Sequence, residues 1–211
     1  MGNGADDAGL VNGIVSSIYP SASSAEDLVR THFDQHQAAV AESLTRLHTR
    51  IVETSEVIVA ALRAGKKLIA FGNGGSATQA SHLAGELIGR FDRTRQPLRA
   101  MALAGDPGVV TCIANDFGYE ALYERQCLAL VDPGDVVVGL TTSGRSENVR
   151  RGLAGARSRG AVTILLTGDA AVDPELATWC LQVPHRSTAH VQEIHLMLIH
   201  IWCRSIDRAF A

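Results

Sequence analysis

The chain has 211 residues, of which 46% are hydrophobic and 19% are charged, and its formal net charge is −3. This composition is typical of a globular protein with a full hydrophobic core, and it excludes a disordered chain. No basic run exceeds two residues, and no stretch has the apolar length of a signal peptide or of a membrane span. We therefore expect a cytoplasmic protein that binds neither nucleic acid nor membrane.

The four cysteines are far apart in the sequence, at Cys112, Cys127, Cys180 and Cys203. No Cys-x-x-Cys pair is present, which argues against a zinc ribbon. We expect reduced thiols that serve as small packing groups.

The N-terminal part of the chain divides into two segments. Residues 1–24 are rich in Gly, Ala, Ser and Asp, which predicts a flexible arm. Residues 25–64 contain no Gly or Pro and carry apolar residues at helical spacing, which predicts one long helix or two. A helix of this length often packs against another subunit. We expect it to form one domain with the rest of the chain, over residues 25–211.

From residue 66 onward, short apolar runs alternate with segments of helical spacing. The predicted strands are Lys67–Phe71, Leu98–Leu103, Val136–Leu140, Val162–Thr167 and Cys180–Val183. The predicted helices are Ala77–Gly89, Pro107–Ala114, Tyr119–Leu130, Ser146–Arg159, Pro174–Thr178 and Thr188–Phe210. This alternation predicts an α/β fold with a parallel sheet that helices cover on both faces.

Two loops rich in glycine and hydroxyl groups follow predicted strands. The first contains Asn73, Gly74, Gly75 and Ser76, and the second contains Thr141, Thr142, Ser143 and Ser146. Ligands of parallel sheets bind at the carboxyl ends of strands, and helix N-termini there attract anions. Two such loops predict a phosphorylated polyhydroxy ligand, such as a sugar phosphate.

The helix after the first loop carries His82 and Glu86, which are four residues apart and therefore share one face. This pair suits a divalent metal ion, or a base held beside a donor. A surface ion pair is the alternative interpretation.

The last helix is apolar apart from a group of polar residues: His190, Gln192, Glu193, His195 and His200. Gln192 and His200 are separated by about 12 Å along a helix axis. They reach one ion only if they lean toward each other or come from different subunits. From the residues alone, a core histidine bonded to a backbone carbonyl is the simpler interpretation.

Two further features leave alternatives open. Asn115 and Asp116 follow an apolar helical stretch, and they mark either a capped turn or a pair of groups that bind sugar hydroxyls. Gly72-x-Gly74-x-x-Ala77 fits a relaxed dinucleotide fingerprint, but neither Asp92 nor Asp106 stands where that fingerprint needs its acidic residue. A nicotinamide enzyme is therefore not favoured.

The chain resembles the sugar-isomerase (SIS) family, and within it the phosphoheptose isomerases. The resemblance covers residues from about 25 to the end of the chain. The segments that carry it are Gly72-Asn73-Gly74-Gly75-Ser76, the stretch from His82 to Phe91, Asn115-Asp116-Phe117-Gly118, Thr142-Ser143-Gly144-x-Ser146-x-Asn148-Val149, and Val191-Gln192-Glu193-Ile194-His195 with Ile199-His200.

The resemblance implies a flavodoxin-like three-layer sandwich that assembles as a homotetramer with active sites at subunit interfaces. It implies one zinc-type ion per subunit, held by His82, Glu86, Gln192 and His200. It implies proton transfers by Glu86 and His200 in an aldose–ketose isomerisation. The implied substrate contacts come from Asn73, Gly74, Gly75, Ser76, Glu86, Asn115, Asp116, Thr141, Thr142, Ser143, Ser146 and Gln192.

The implied reaction converts sedoheptulose 7-phosphate to D-glycero-D-manno-heptose 7-phosphate, or to the altro-type isomer, through an enediolate. Three departures concern the site: position 85 is Gly where relatives carry an acidic residue, position 145 is Arg where Asn is common, and Ser187–His190 lacks an Asp that some members carry. The alternatives are a non-catalytic adaptor that binds the replication initiator protein, and another sugar-phosphate isomerase or sensor of the same fold.

Overall fold

The computed structural model describes residues 24–211, and the predicted arm of residues 1–24 lies outside these residues except for Ser24. Ser24 caps the first helix, since its hydroxyl accepts from the Asp27 N–H at 3.1 Å and the Asp27 carboxylate accepts from the Ser24 N–H at 3.0 Å. The segment after it forms one helix, α1 (Ala25–Arg63), rather than two.

The remaining elements alternate as the sequence predicts. The strands are β1 (Leu68–Gly72), β2 (Ala100–Ala102), β3 (Val136–Thr141), β4 (Val162–Thr167) and β5 (Trp179–Gln182). The helices are α2 (Gly75–Ile88), α3 (Pro107–Phe117), α4 (Leu122–Leu130, after a 3₁₀ turn at Tyr119–Ala121), α5 (Glu147–Ser158) and α6 (Thr188–Phe210).

All five strands are parallel, in the order β2-β1-β3-β4-β5. This is the flavodoxin-like order, whose switch point lies between β1 and β3. At a switch point the loops that follow the two strands turn toward opposite faces, which opens a crevice at the carboxyl edge of the sheet. The expected fold class is therefore confirmed.

Two apolar layers cover the sheet, because successive strand residues point to opposite faces. Leu68, Ala70 and Val138 face α1, α2 and α6, which contribute Ile58, Leu87 and Trp202 among others. Ile69, Phe71 and Val137 face α3, α4 and α5, whose contributions include Ile113, Tyr123 and Leu153. The result is a three-layer sandwich, and α1 belongs to its first outer layer.

The predicted helix Pro174–Thr178 is wrong. This segment is a turn, in which the Glu175 N–H donates to Asp173 Oδ1 at 2.9 Å and the Leu176 N–H donates to the Asp173 carbonyl at 3.1 Å. An Asx turn thus takes up the donors that would begin a helix.

The second strand is shorter than the predicted Leu98–Leu103. The Leu98 N–H donates to the Leu87 carbonyl at the end of α2 at 3.0 Å, so the chain joins the sheet only after that residue. Cys127 and Cys203 are buried, and burial raises the pKa of each thiol to about 12, which fits the expected packing role. Among the described residues, no helix is both long and apolar enough to cross a membrane.

Candidate functional site

A pocket of about 260 Å³ lies at the switch point, where the loops after β1 and β3 meet the start of α6. It is lined by Asn73, Gly75, Ser76, Leu140, Thr141, Thr142, Ser143, Ser146, Thr188 and Gln192. The structure therefore brings together the two loops that the sequence singled out. Thr188 is a further lining residue that sequence reasoning missed.

Three helices begin at this pocket, and their N-caps differ from those of α1 and α3. Gly74, Ser146 and Ser187 are the N-cap residues of α2, α5 and α6, and none of these three supplies a side-chain acceptor to its helix. By contrast, Ser24 caps α1 and Asp106 caps α3 with side-chain oxygens. First-turn N–H groups and three helix dipoles are thus left facing one pocket, which is an arrangement that binds an anion.

The two loops are fastened to each other by amide side chains. Asn73 and Asn148 exchange two hydrogen bonds of 2.9 Å, and the Tyr119 hydroxyl donates to Asn73 Oδ1 at 2.8 Å. The buried Tyr123 hydroxyl donates to the Gly72 carbonyl, and burial raises the pKa of this phenol so that it stays protonated. On the second loop, Thr141 Oγ1 lies 3.0 Å from Ser146 Oγ. These contacts hold the pocket in shape before a ligand arrives.

A second group of polar residues lies where α2 meets α6, and we call it the α2 histidine group: His82, Glu86 and His200. His82 Nε2 lies 3.1 Å from His200 Nε2 and 3.4 Å from Glu86 Oε1. Two ligands of a tetrahedral ion with 2.0–2.1 Å bonds are separated by about 3.3 Å, so each of the two pairs that include His82 has a spacing that suits a zinc-type ion. The three ligand atoms do not all come as close together as those of His32, His190 and Glu193 do among the described residues. The surface ion pair that the sequence left open is only part of this contact.

A buried ion pair between Arg95 and Asp207 holds the backbone of Glu86 in place. Arg95 is buried and donates to the carbonyls of Glu86 and Leu87 at 2.8 Å each, so it caps the end of α2. Its Nε donates to Asp207 Oδ1 at 2.9 Å, and Asp207 also accepts the N–H groups of Asp92 and Arg93 at 2.8 Å. Burial alone would raise the pKa of Asp207, but these hydrogen bonds and Arg95 hold it lowered.

Gln192, the fourth expected ligand, lies at the pocket, against the first loop. A Cβ built on Gly75 would come within 2.6 Å of Gln192 Nε2, so the glycine makes room for this amide. The backbone carbonyl of Gln192 accepts a hydrogen bond from Gln79 Nε2 at 2.7 Å. The side chain of Gln192 thus belongs to the pocket, two helical turns before His200, and within the part of the chain that the structure describes it makes no hydrogen bond to the α2 histidine group.

Asn115 and Asp116 stand apart from the pocket within one chain. They are exposed in the last turn of α3, where Asn115 Nδ2 donates to Asp116 Oδ1 at 2.7 Å. Arg145 is exposed beside the pocket and lines a neighbouring cavity with Thr142, Ser143, Asp169 and Arg186. Arg145 therefore lies beside two residues that also line the pocket, Thr142 and Ser143.

The histidines of α6 have three different environments. His195 is fully buried, and this burial lowers its pKa to about 4, so it is a neutral core histidine. His200 belongs to the α2 histidine group. His190 lies with Glu193 against the start of α1, close to His32 and His36. Sequence reasoning missed this last group, because its members lie on two helices that are far apart in the sequence. The ligand atoms of His32, His190 and Glu193 lie close enough together to hold a metal ion.

Comparisons with known proteins define the class. The SIS domain family model matches residues 31–168, which is more than half of the chain. The fold and the site thus define an enzyme of the SIS class, with a parallel sheet and a pocket at the ends of β1 and β3.

Relatives narrow this class further. The chain is 45% identical over 159 residues to a phosphoheptose isomerase of Aquifex aeolicus, an alignment that covers 75% of this chain and 83% of that protein. The structure of a phosphoheptose isomerase from Neisseria gonorrhoeae superposes with a TM-score of 0.79 at 36% sequence identity, and the match covers 87% of this chain and 98% of that one. The structure of a phosphoheptose isomerase from Francisella tularensis superposes with a TM-score of 0.82 at 30% identity, and the match covers 88% of this chain and 100% of that one. The chain belongs to the phosphoheptose isomerase family and is an isomerase.

Proposed function

We propose that this enzyme interconverts sedoheptulose 7-phosphate and D-glycero-D-manno-heptose 7-phosphate, or its altro-type isomer. The observation that carries the proposal is the combination of an anion pocket with three uncapped helix N-termini and a carboxylate–imidazole group on the adjoining α2. The relatives described above are phosphoheptose isomerases, which supports a heptose phosphate as the substrate.

The reaction moves one proton between carbons and one between oxygens. Glu86 takes a proton from C1 of the ketose, which leaves an enediolate, and it returns that proton to C2. His200 carries a proton from O1 to O2 through Nδ1, since its Nε2 faces His82 and would bind the ion, so that the carbonyl passes to C1. A positioned acid or base of this kind contributes about 10²–10⁴ in rate. Glu86 Oε1 faces His82, which leaves the second carboxylate oxygen for the carbon-bound proton.

We propose that His82, Glu86 and His200, with Gln192, hold one zinc ion per subunit. When bound, such an ion would supply Lewis-acid polarisation to the reaction. The 3.1 Å separation of the two Nε2 atoms supports this assignment, because two facing imidazole nitrogens need either a shared proton or a shared cation.

The phosphate is proposed to occupy the pocket, with Ser76, Thr141, Thr142, Ser143 and Ser146 as hydroxyl donors and Asn73, Gly74 and Gly75 as the first-loop contacts. Asn115 and Asp116 are proposed to reach the sugar of a neighbouring subunit, since they are exposed away from their own pocket. This arrangement requires that the chain assemble.

A homotetramer is proposed because α1 presents apolar residues that the single chain leaves exposed. They are Leu28, Val29, Phe33, Leu44 and Val52, and a groove of about 430 Å³ between α1 and α6 adjoins the last of them. Exposed apolar stripes of this kind mark interfaces. Light scattering should report a mass near four chains, and a 22 kDa particle at micromolar concentration would contradict the assembly.

The adaptor that binds a replication initiator protein is the alternative. A turnover assay on sedoheptulose 7-phosphate, run before and after chelation and beside measured metal content, separates the two functions. Full isomerase activity in metal-free protein would overturn the role of the ion, and no turnover in metal-loaded protein would favour the adaptor.

Ser146→Ala and Ser143→Ala test the phosphate site. A lost hydrogen bond to a charged group costs about 1.5–3 kcal/mol, so KM should rise about 10- to 100-fold in each variant. Thr45→Ala is the matched control, because this exposed hydroxyl on α1 bonds only the Ala41 carbonyl. An unchanged KM in both serine variants would mean that the phosphate binds elsewhere.

A further inference from the structure

Three histidines surround one glutamate where the start of α1 meets the start of α6, and we call them the α1 histidine group: His32, His36, His190 and Glu193. His32 Nε2 lies 2.7 Å from Glu193 Oε1, while His36 Nδ1 and His190 Nδ1 lie 2.7 Å and 3.0 Å from Oε2. His32 and His36 share a face of α1, and His190 and Glu193 share a face of α6. Each helix thus contributes two side chains to one point.

The ligand atoms are as close as a bound ion requires. One ligand atom from each of His32, His190 and Glu193 lies within 4.8 Å of the other two. In zinc sites with bonds of 2.0–2.2 Å, neighbouring ligand atoms are separated by about 3.4 Å, a value between the 2.7–3.0 Å contacts to Glu193 and the 4.8 Å limit that all three atoms meet.

The ring of His190 contacts an oxygen atom on each side. Its Nε2 lies 3.1 Å from Gln35 Oε1, and its Nδ1 lies 3.0 Å from Glu193 Oε2. In the tautomer that carries its proton on Nε2, Nδ1 presents a lone pair beside the carboxylate, and a cation there would be shared by both side chains. Metal-binding histidines are oriented in this way by an oxygen on their other nitrogen.

His36 supplies an independent observation. Its Nδ1 is buried and makes no hydrogen bond, although it lies 2.7 Å from Glu193 Oε2, because the direction does not suit an N–H donor. A buried imidazole nitrogen without a proton partner is available as a ligand.

We propose that His32, His190 and Glu193, with His36 as the fourth ligand, form a second divalent-metal site. Three imidazoles and a carboxylate select a borderline transition ion such as Zn²⁺ or Co²⁺ over Mg²⁺ or Ca²⁺. The site is separate from the α2 histidine group, and it does not depend on which sugar phosphate the enzyme uses.

The ion would fasten the start of α1 to the rest of the domain. Among the described residues 24–38, none is buried, and the first buried residue of α1 is Ala39. The first three to four turns therefore have little apolar packing within the chain, and an ion held by His32 and His36 would be their main attachment to the rest of their own chain.

The first experiment counts bound metal in tag-free protein, by mass spectrometry after dialysis against micromolar Zn²⁺. The double variant His82→Ala/His200→Ala should keep one ion per chain, while adding His32→Ala and His190→Ala should remove it. His48→Ala is the control, since His48 is an exposed histidine of the same helix outside the group. The proposal is overturned if the first double variant binds no Zn²⁺, or if the fourfold variant still binds one.

The second experiment separates a metal site from a hydrogen-bond network. Gln35→Leu removes the oxygen that orients His190 and should weaken Zn²⁺ binding about 10- to 100-fold in the His82→Ala/His200→Ala background. Zn²⁺ should slow amide hydrogen exchange over residues 25–38 in that background but not after His32→Ala, whose half-exposed side chain can be removed without loss of the fold. Equal protection with and without Zn²⁺ would refute the clip.

Discussion

The α2 and α1 histidine groups contain the same kinds of side chain, yet they differ in what holds them. In the α2 group, both His82 and Glu86 stand on a helix that packs on the sheet, and Arg95 anchors the carbonyl of Glu86 through a buried ion pair. In the α1 group, two ligands stand on the exposed start of α1. A catalytic group needs fixed geometry, whereas a group that joins two elements can draw additional stability from a bound ion.

The largest difference between the two groups should be in turnover. Glu86→Gln removes the proposed base and should lower kcat by about 10³-fold, within the range of general-base catalysis, while light scattering shows the assembly intact. The matched Glu193→Gln should lower kcat by less than about tenfold. Steady-state kinetics on sedoheptulose 7-phosphate measure both, and a larger loss in Glu193→Gln would reverse the assignment of the two groups.

The Arg95–Asp207 ion pair, which holds the backbone of Glu86, should contribute measurably to the free energy of unfolding. Asp207→Ala leaves Arg95 buried without its partner, and breaking a buried pair costs about 3–5 kcal/mol in the free energy of unfolding. Asp92→Ala is the control, because its carboxylate is exposed and 3.6 Å from Arg204, where an ion pair contributes at most about 1 kcal/mol. Urea denaturation measures the free energy of unfolding of both variants. An equal decrease in the two would show that the Arg95–Asp207 pair stabilises the fold no more than an exposed ion pair does.

His195 lies on α6 but belongs to neither group, and it should make stability depend on pH. The folded protein keeps it neutral down to a pKa of about 4, while the unfolded chain takes up a proton near 6.5. The unfolded state therefore binds more protons in this window, and stability falls by about 3 kcal/mol as the pH drops from 6.5 to 4.

His195→Asn separates this titration from simple loss of packing. The variant should be less stable at pH 7.5 because it leaves a cavity, but its stability should change little between pH 6.5 and 4.5. A slope as steep as that of the parent protein would assign the pH dependence to the histidines of the two groups instead.

The smallest expected effect concerns Gly85, the neighbour of Glu86. It is exposed in the interior of α2, and an added Cβ would meet nothing within 4 Å. Gly85→Ala should therefore stabilise the chain by about 0.5–1 kcal/mol through helix propensity, without change in kcat. Thermal unfolding measures this gain. A loss of stability would show that this face of α2 is covered in the assembly.

Much of the pocket was predictable because its signals are local. The first loop directly follows β1 and the second directly follows β3, and a parallel sheet brings both strand ends to one edge. The segment 174–178 shows the limit of such signals, since Asp173 formed a turn where apolar spacing predicted a helix. Likewise, the histidines of α6 looked equivalent in the sequence, and only packing separated buried His195 from His190 and His200.

The sequence by itself determined the class of fold, the two loops that line the pocket and the pairing of His82 with Glu86, because periodicity, glycine positions and helical spacing act over a few residues. Only the tertiary structure decided which distant side chains meet. His200 reaches His82 across 118 residues, and His32 reaches Glu193 across 161, because α1, α2 and α6 cover the same face of the sheet. No local pattern encodes those contacts, since they follow from how three helices pack together.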